Sequence, residues 1–277
     1  TAIGRLIVSN RPEQAMDWFN RSLTIDEALM RQQPSDPRYQ AAVADCHMDL
    51  ALCLSDLDQV EKGLEQLKLS RAIDERLVNS YPNNIDYKQS LAVVLNRVGY
   101  AEYKRLDYAA ALKAFQDFHV ICQQILDSVP YGPKPLRIQE LLARSHYNIG
   151  AMYLEQGKNA EALEAFQQAE QGWSKLVHAH PSVTSFQVEL GQNYVSMAIV
   201  GHYLQREQET LDAVAKGAAT FDHLIKEAPD DPTYALEYGR LMTIKGVVHD
   251  QSRRNDLADE PFRLAMDYRK KLYDRDP

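Results

Sequence analysis

The 277-residue chain is 45% hydrophobic and 25% charged, a balance that leaves room for one large or two ordinary globular domains. A net charge of −8 argues against nucleic acid as the main partner, because phosphate binding needs a clustered basic face. No run approaches the roughly 18 apolar residues of a membrane span, so no membrane insertion of this segment is expected.

The chain opens at Thr1, in mid-repeat, and is read as a piece of a longer protein whose targeting signals lie outside it. Cys46 and Cys53 stand seven apart on one predicted helix, roughly 10.5 Å along its axis. That is too far for a disulfide. With Cys122 they are expected as buried reduced thiols, which fits a cytoplasmic location.

Taken in order, the prolines set a period. Pro34, Pro82, Pro130, Pro181, Pro229 and Pro277 are separated by 48, 48, 51, 48 and 48 residues. The repeat units are therefore 1–33 (partial), 34–81, 82–129, 130–180, 181–228 and 229–277, read as one repeat domain. The three extra residues of the fourth unit fall in Tyr131-Gly132-Pro133-Lys134-Pro135. Other columns keep the register. A first helix carries Ile3 (the exception), Ala51, Gly99, Gly150, Ala198 and Gly246 at one small position. A second helix carries Ala15, Gly63, Ala111, Ala162, Thr210 and Ala258, followed four residues on by Phe19, Leu67, Phe115, Phe166, Val214 and Phe262. Small residues let two helices approach, and large ones fill the gap.

Punctuation agrees with these units. Asp36-Pro37 and Asp231-Pro232 each place an N-cap before a proline at the first helical position. Pro82 and Pro181 follow helices expected to end at Tyr81 and His180. The hairpin of unit 130–180 is predicted over Leu136–Gln156 and Asn159–Ala179, with Asn159 as N-cap. Pro261 implies either a late start for the last helix, capped by Asp259, or a kink. Arg269-Lys270-Lys271 suits the negative end of that helix.

The stretch Ser145–Ala169 carries a family resemblance. Ile149-Gly150 with Tyr153, then Ala162, Phe166 and Ala169, resembles the tetratricopeptide (TPR) pattern of an apolar-Gly-x-x-Tyr first helix and an Ala-x-x-x-Phe-x-x-Ala second helix. The resemblance implies an all-α, right-handed solenoid of about five and a half antiparallel hairpins that binds partners and does no chemistry. A standard repeat of 34 residues is shorter than this one, so both helices are extended here. Endings such as Ile73-Asp74-Glu75-Arg76-Leu77-Val78 through Tyr81-Pro82 resemble long bacterial arrays found in signalling proteins, often beside serine/threonine kinase domains.

No catalytic motif has the right spacing: there is no Gly-rich phosphate loop, His-Glu-x-x-His, Gly-x-Ser-x-Gly or Cys-x-x-Cys. His178 and His180 face different ways on a helix and do not make a metal site. No enzyme activity, cofactor or metal is expected. Partner contact is expected instead on the first-helix face left over after packing. That face carries Asp45, Met48, Leu52 and Ser55; Asn96, Tyr100, Tyr103 and Lys104; Arg144, Tyr147, Asn148 and Ala151; Gln192, Val195, Ile199, His202 and Tyr203; and Arg240, Thr243, Val247 and Asp250. Among these, Asn96, Tyr100, Tyr103, Lys104, Arg144, Tyr147, Asn148, His202, Tyr203 and Arg240 are the candidate partner-binding residues, because Tyr and Arg anchor binding hot spots. Arg144 and Asn148 also match part of the set with which some TPR proteins grip a C-terminal carboxylate. The adjoining Asn96 and Tyr100 do not complete it.

The function expected is a protein-interaction scaffold that receives a peptide or protein segment in its concave groove. The alternatives are a self-associating architectural segment and a helical-toroid enzyme. The latter fits poorly, since Trp18 and Trp173 fall in second helices and not in loops.

Overall fold

A computed structural model describes residues 11–129 and 135–275. Residues Ile3, Pro130, the run from Tyr131 to Lys134, Pro277 and the side chains of Arg269 and Lys271 lie outside the description. Eleven helices account for the described regular structure: α1 (Pro12–Gln32), α2 (Pro37–Asp56), α3 (Val60–Ser80), α4 (Ile85–Lys104), α5 (Tyr108–Asp127), α6 (Leu136–Glu155), α7 (Asn159–Ala179), α8 (Thr184–Tyr203), α9 (Glu207–Glu227), α10 (Pro232–Gln251) and α11 (Asn255–Arg275). Each is 20 or 21 residues long, about 30 Å.

Contacts divide the chain into two compact units, Thr1–Ile138 and Gln139–Pro277. In the first, α1 packs on α2, α2 on α3, α3 on α4 and α4 on α5. In the second, α7 packs on α8, α8 on α9, α9 on α10 and α10 on α11. The ring of Phe166 on α7 lies against Gly150 on α6, so those helices pair as well.

The size columns explain the pairing. Gly99, Gly150 and Gly246 let Phe115, Phe166 and Phe262 lie flat on the neighbouring helix. A Cβ at these positions would sit 2.4, 2.8 and 2.6 Å from the ring. Ala15, Phe19, Ala111, Phe115, Ala162 and Phe166 are buried, as their columns require.

The turn inside each of the five fully described hairpins repeats one backbone device. Asp58, Leu106, Gly157, Gln205 and Arg253 all have positive φ, from 55° to 72°. In each, the residue after the left-handed one returns its N–H to a carbonyl five residues back. Gln59 donates to Leu54, Asp107 to Glu102, Lys158 to Tyr153, Arg206 to Gly201 and Arg254 to His249. This is the Schellman closure, which satisfies orphan carbonyls at the end of a helix.

The same closure corrects two expectations. Lys158 both ends the turn and caps α7, without a side-chain bond, and Asn159 is the first helical residue. Similarly α11 starts at Asn255, directly after the Arg254 closure, and runs through Pro261. A late start at Asp259 does not occur. The caps at Asp36 and Asp231 form as expected, accepting from the N–H groups of Arg38 and Thr233. Tyr81 and His180 are the C-caps of α3 and α7.

Candidate functional site

In the first unit the candidate face lies on α2 and α4. Tyr100 and Tyr103 project from α4 and are 44% and 39% exposed. The Tyr100 ring meets Phe115 edge-on at 5.3 Å, and Tyr103 lies 6.0 Å from Tyr108. Lys104 Nζ donates to Ser55 Oγ on α2 at 3.2 Å. Asn96 is half-buried.

Two openings separate these helices. One, of about 150 Å³, is floored by Ala51, Gly63 and Leu67 and bordered by Leu52, Arg97, Tyr100 and Lys104. The other, of about 450 Å³, is lined by Asp45, Met48, Asp49, Leu52, Asp86, Ser90 and Arg97. Asp45, Met48, Leu52, Ser55, Tyr100 and Lys104 thus border open space. Arg97, which borders both openings, is not among the residues expected from the sequence; its signal is a cation beside Asn96 within the largely apolar stretch Leu91–Tyr100 of α4.

Behind the larger opening, Ser90 Oγ donates to Asp74 Oδ2 at 3.1 Å. Asp74 is 1% exposed, and its Oδ1 has no hydrogen-bond partner. Burial, opposed by the Ser90 hydrogen bond and aided by the Asp45 charge, pushes its carboxyl up to about 7. The thiols of Cys46 and Cys53 are raised to about 11 and that of Cys122 to about 12, chiefly by burial, which fits inert core cysteines.

In the second unit much of the candidate face is engaged internally. Arg144 on α6 donates to Glu189 Oε1 on α8 at 2.6 Å and lies 3.3 Å from Glu140 Oε1. Burial raises the Glu189 carboxyl, and Arg144 offsets part of that rise. The Tyr147 ring packs 5.5 Å from Phe166, and its hydroxyl accepts from Ser196 Oγ at 3.4 Å. Asn148 is 4% exposed, leaving little for a partner to touch. Val195 is a core residue beside Phe221 and Leu241. Arg240 pairs with Glu237, Nη1 to Oε2, at 3.0 Å. Tyr203 is 59% exposed beside His202, which borders an opening of about 370 Å³.

Among the described residues no group of three His, Cys, Asp or Glu side chains is placed to hold a metal ion. No described helix is long and apolar enough to cross a membrane.

This arrangement, paired helices with a small-residue seam and an aromatic filler repeated in register, defines an array of tetratricopeptide-like hairpins. Residues 143–171 match the tetratricopeptide repeat family. No curated protein matches the chain. Several solved structures share the fold. The crystal structure of BtubC (BKLC) from P. vanneervenii superposes with a TM-score of 0.68 at 12% identity, covering 95% of this chain and 92% of the other. The apo form of RapI gives 0.61 at 15% identity over 95% and 71%. A putative kinesin light chain with nearly identical TPR-like repeats from Podosopora anserina gives 0.53 at 13% identity over 82% and 94%. At such identities the likeness speaks for the fold alone.

Proposed function

We propose that the chain is a non-catalytic protein-interaction scaffold, part of a larger signalling protein, whose first-helix faces receive an extended or helical partner segment. The observation that carries this reading is a division of labour among aromatics. Phe19, Phe115, Phe166, Phe221 and Trp173 are consumed in packing between helices. Tyr100, Tyr103 and Tyr203 remain on first helices with 39–59% of their surface exposed. An exposed tyrosine offers large contact area and a directed hydroxyl at low entropic cost, which is why tyrosines anchor interfaces.

Affinity capture from a lysate of the native host tests the reading, with the chain beside Tyr100→Ala/Tyr103→Ala and Tyr203→Ala variants. A protein retained by the chain and lost with either variant supports it. Equal retention by all three sinks the first-helix assignment. A mass that grows with concentration, with nothing else retained, favours self-association.

A further inference from the structure

The repeat register shows where one hairpin is underfilled. In α4–α5 and α6–α7 the second helix supplies a ring, Phe115 or Phe166, over a glycine of the first. The alanine four residues before each ring, Ala111 or Ala162, is fully buried. In α2–α3 the same three places hold Leu67, Ala51 and Gly63. The pair has lost a ring, and the methyl of the second helix has moved to the first, from the column of Gly63 to Ala51. Hairpin α8–α9 also lacks the ring, carrying Val214, but there Thr210 adds bulk and packs against Gly201. Only α2–α3 has glycine in that column.

The space shows up in the structure at that position. Ala51, Gly63 and Leu67 floor the opening of about 150 Å³ between α2, α3 and α4. A void of ~150 Å³ is enough to admit a benzene ring. Tyr100 forms one wall, and the charged residues around the opening are both cations, Arg97 and Lys104. Lys104 is held at the rim by the Ser55 hydroxyl.

We propose that this opening is a specificity pocket for an aromatic side chain of a partner polypeptide flanked by an acidic residue. The proposal rests on the scaffold reading and names the chemistry of its partner. The ring occupies the place that Phe115 and Phe166 fill in their own hairpins, against Leu67 and beside Tyr100. The neighbouring carboxylate meets Lys104 and Arg97, a charge-assisted contact at the edge of an apolar hole.

The test uses the full chain, labelled with 13C at leucine methyls, and two probes: the acetylated amides of the dipeptides Phe-Glu and Phe-Lys. The expected result is saturable movement of the Leu52 and Leu67 methyl signals in the millimolar range, with the acidic dipeptide binding several-fold tighter. Lys104→Glu is expected to reverse that order. Gly63→Ala should fold normally, since the added Cβ meets its nearest neighbour at 3.4 Å. Combined with Leu67→Phe it should abolish the shifts while the far-UV circular dichroism stays unchanged. No saturable shift at these methyls, or equal binding after the pocket is filled, overturns the proposal. Probe binding with no protein captured from lysate would instead count against the scaffold and leave the pocket standing.

Discussion

The two units place different chemistry at one register position between successive first helices. In the second unit Arg144 on α6 faces Glu189 on α8, 45 residues later, and a 2.6 Å ion pair laces the helices together. In the first unit the same step joins Asp45 on α2 to Ser90 on α4. Both residues line an opening of about 450 Å³, and Ser90 donates to a buried carboxyl, Asp74, behind it. The seam columns that build the fold are shared, whereas the residues at this first-helix position are not. The fold therefore tolerates an ion pair at one copy of the position and a carboxylate beside an opening at another.

The largest expected effect sharpens that contrast at Asp74. Its carboxyl ionises near 3.8 when unfolded and near 7 when folded. The folded state thus holds an extra proton between those values. Stability falls as pH rises from about 4 towards 7, and the full penalty applies above it. Asp74→Asn keeps an oxygen for Ser90 and cannot ionise. It is expected to stabilise the protein at pH 8, with about 4 kcal/mol as the upper bound at 1.36 kcal/mol per unit of pKa, and by less at pH 5. Denaturant melts at both pH values measure this. A gain that does not change with pH would show that burial of the charge is not the cause.

The next effect breaks the lace. Arg144→Ala leaves Glu189 half-buried without its partner and is expected to cost about 2–3 kcal/mol, somewhat below the range for a fully buried pair. Removing Glu189 as well should restore part of the loss, and a double-mutant cycle reads the coupling. Asp45→Ala, at the matching position of the first unit, removes a charge that disfavours the buried Asp74 carboxylate and is expected to cost less than Arg144→Ala. Equal losses at Arg144 and Asp45 would erase the distinction between the two positions.

Legibility in the sequence follows the same division. Glycine against phenylalanine is a steric necessity, so Gly150 and Phe166 betray the hairpin from spacing alone, and the proline period fixes its length. Tyr100, Tyr103 and Tyr203 also read correctly as first-helix residues with exposed surface. The Arg144 pair did not, because a contact 45 residues away depends on which residue the next unit happens to carry. Arg97 stayed hidden because its value lies in the two openings it borders. The cap at Asn159 was misread by one residue because the turn closes on Lys158 through backbone bonds that no side chain signals.

The smallest expected effect concerns those turns. Among the described residues five hairpin turns use a left-handed residue, and one of these supplies glycine, Gly157, with φ 72°. Leu106 adopts φ 63° at the matching place in the first unit. An L-residue there carries a strain of roughly 1–2 kcal/mol because Cβ crowds the following carbonyl. Its side chain is 70% exposed, so little burial compensates. Leu106→Gly should therefore stabilise the first unit by about 0.5–1 kcal/mol, the strain relieved being partly offset by the greater entropy of an unfolded glycine. Gly157→Ala should cost about 1 kcal/mol in the second unit, where nothing lies within 4 Å of the added Cβ and the penalty is conformational. Opposite signs at matching turns are the outcome to look for in chemical melts. If Leu106→Gly destabilises, the closure between Asp107 and Glu102 depends on a leucine contact and not on backbone conformation.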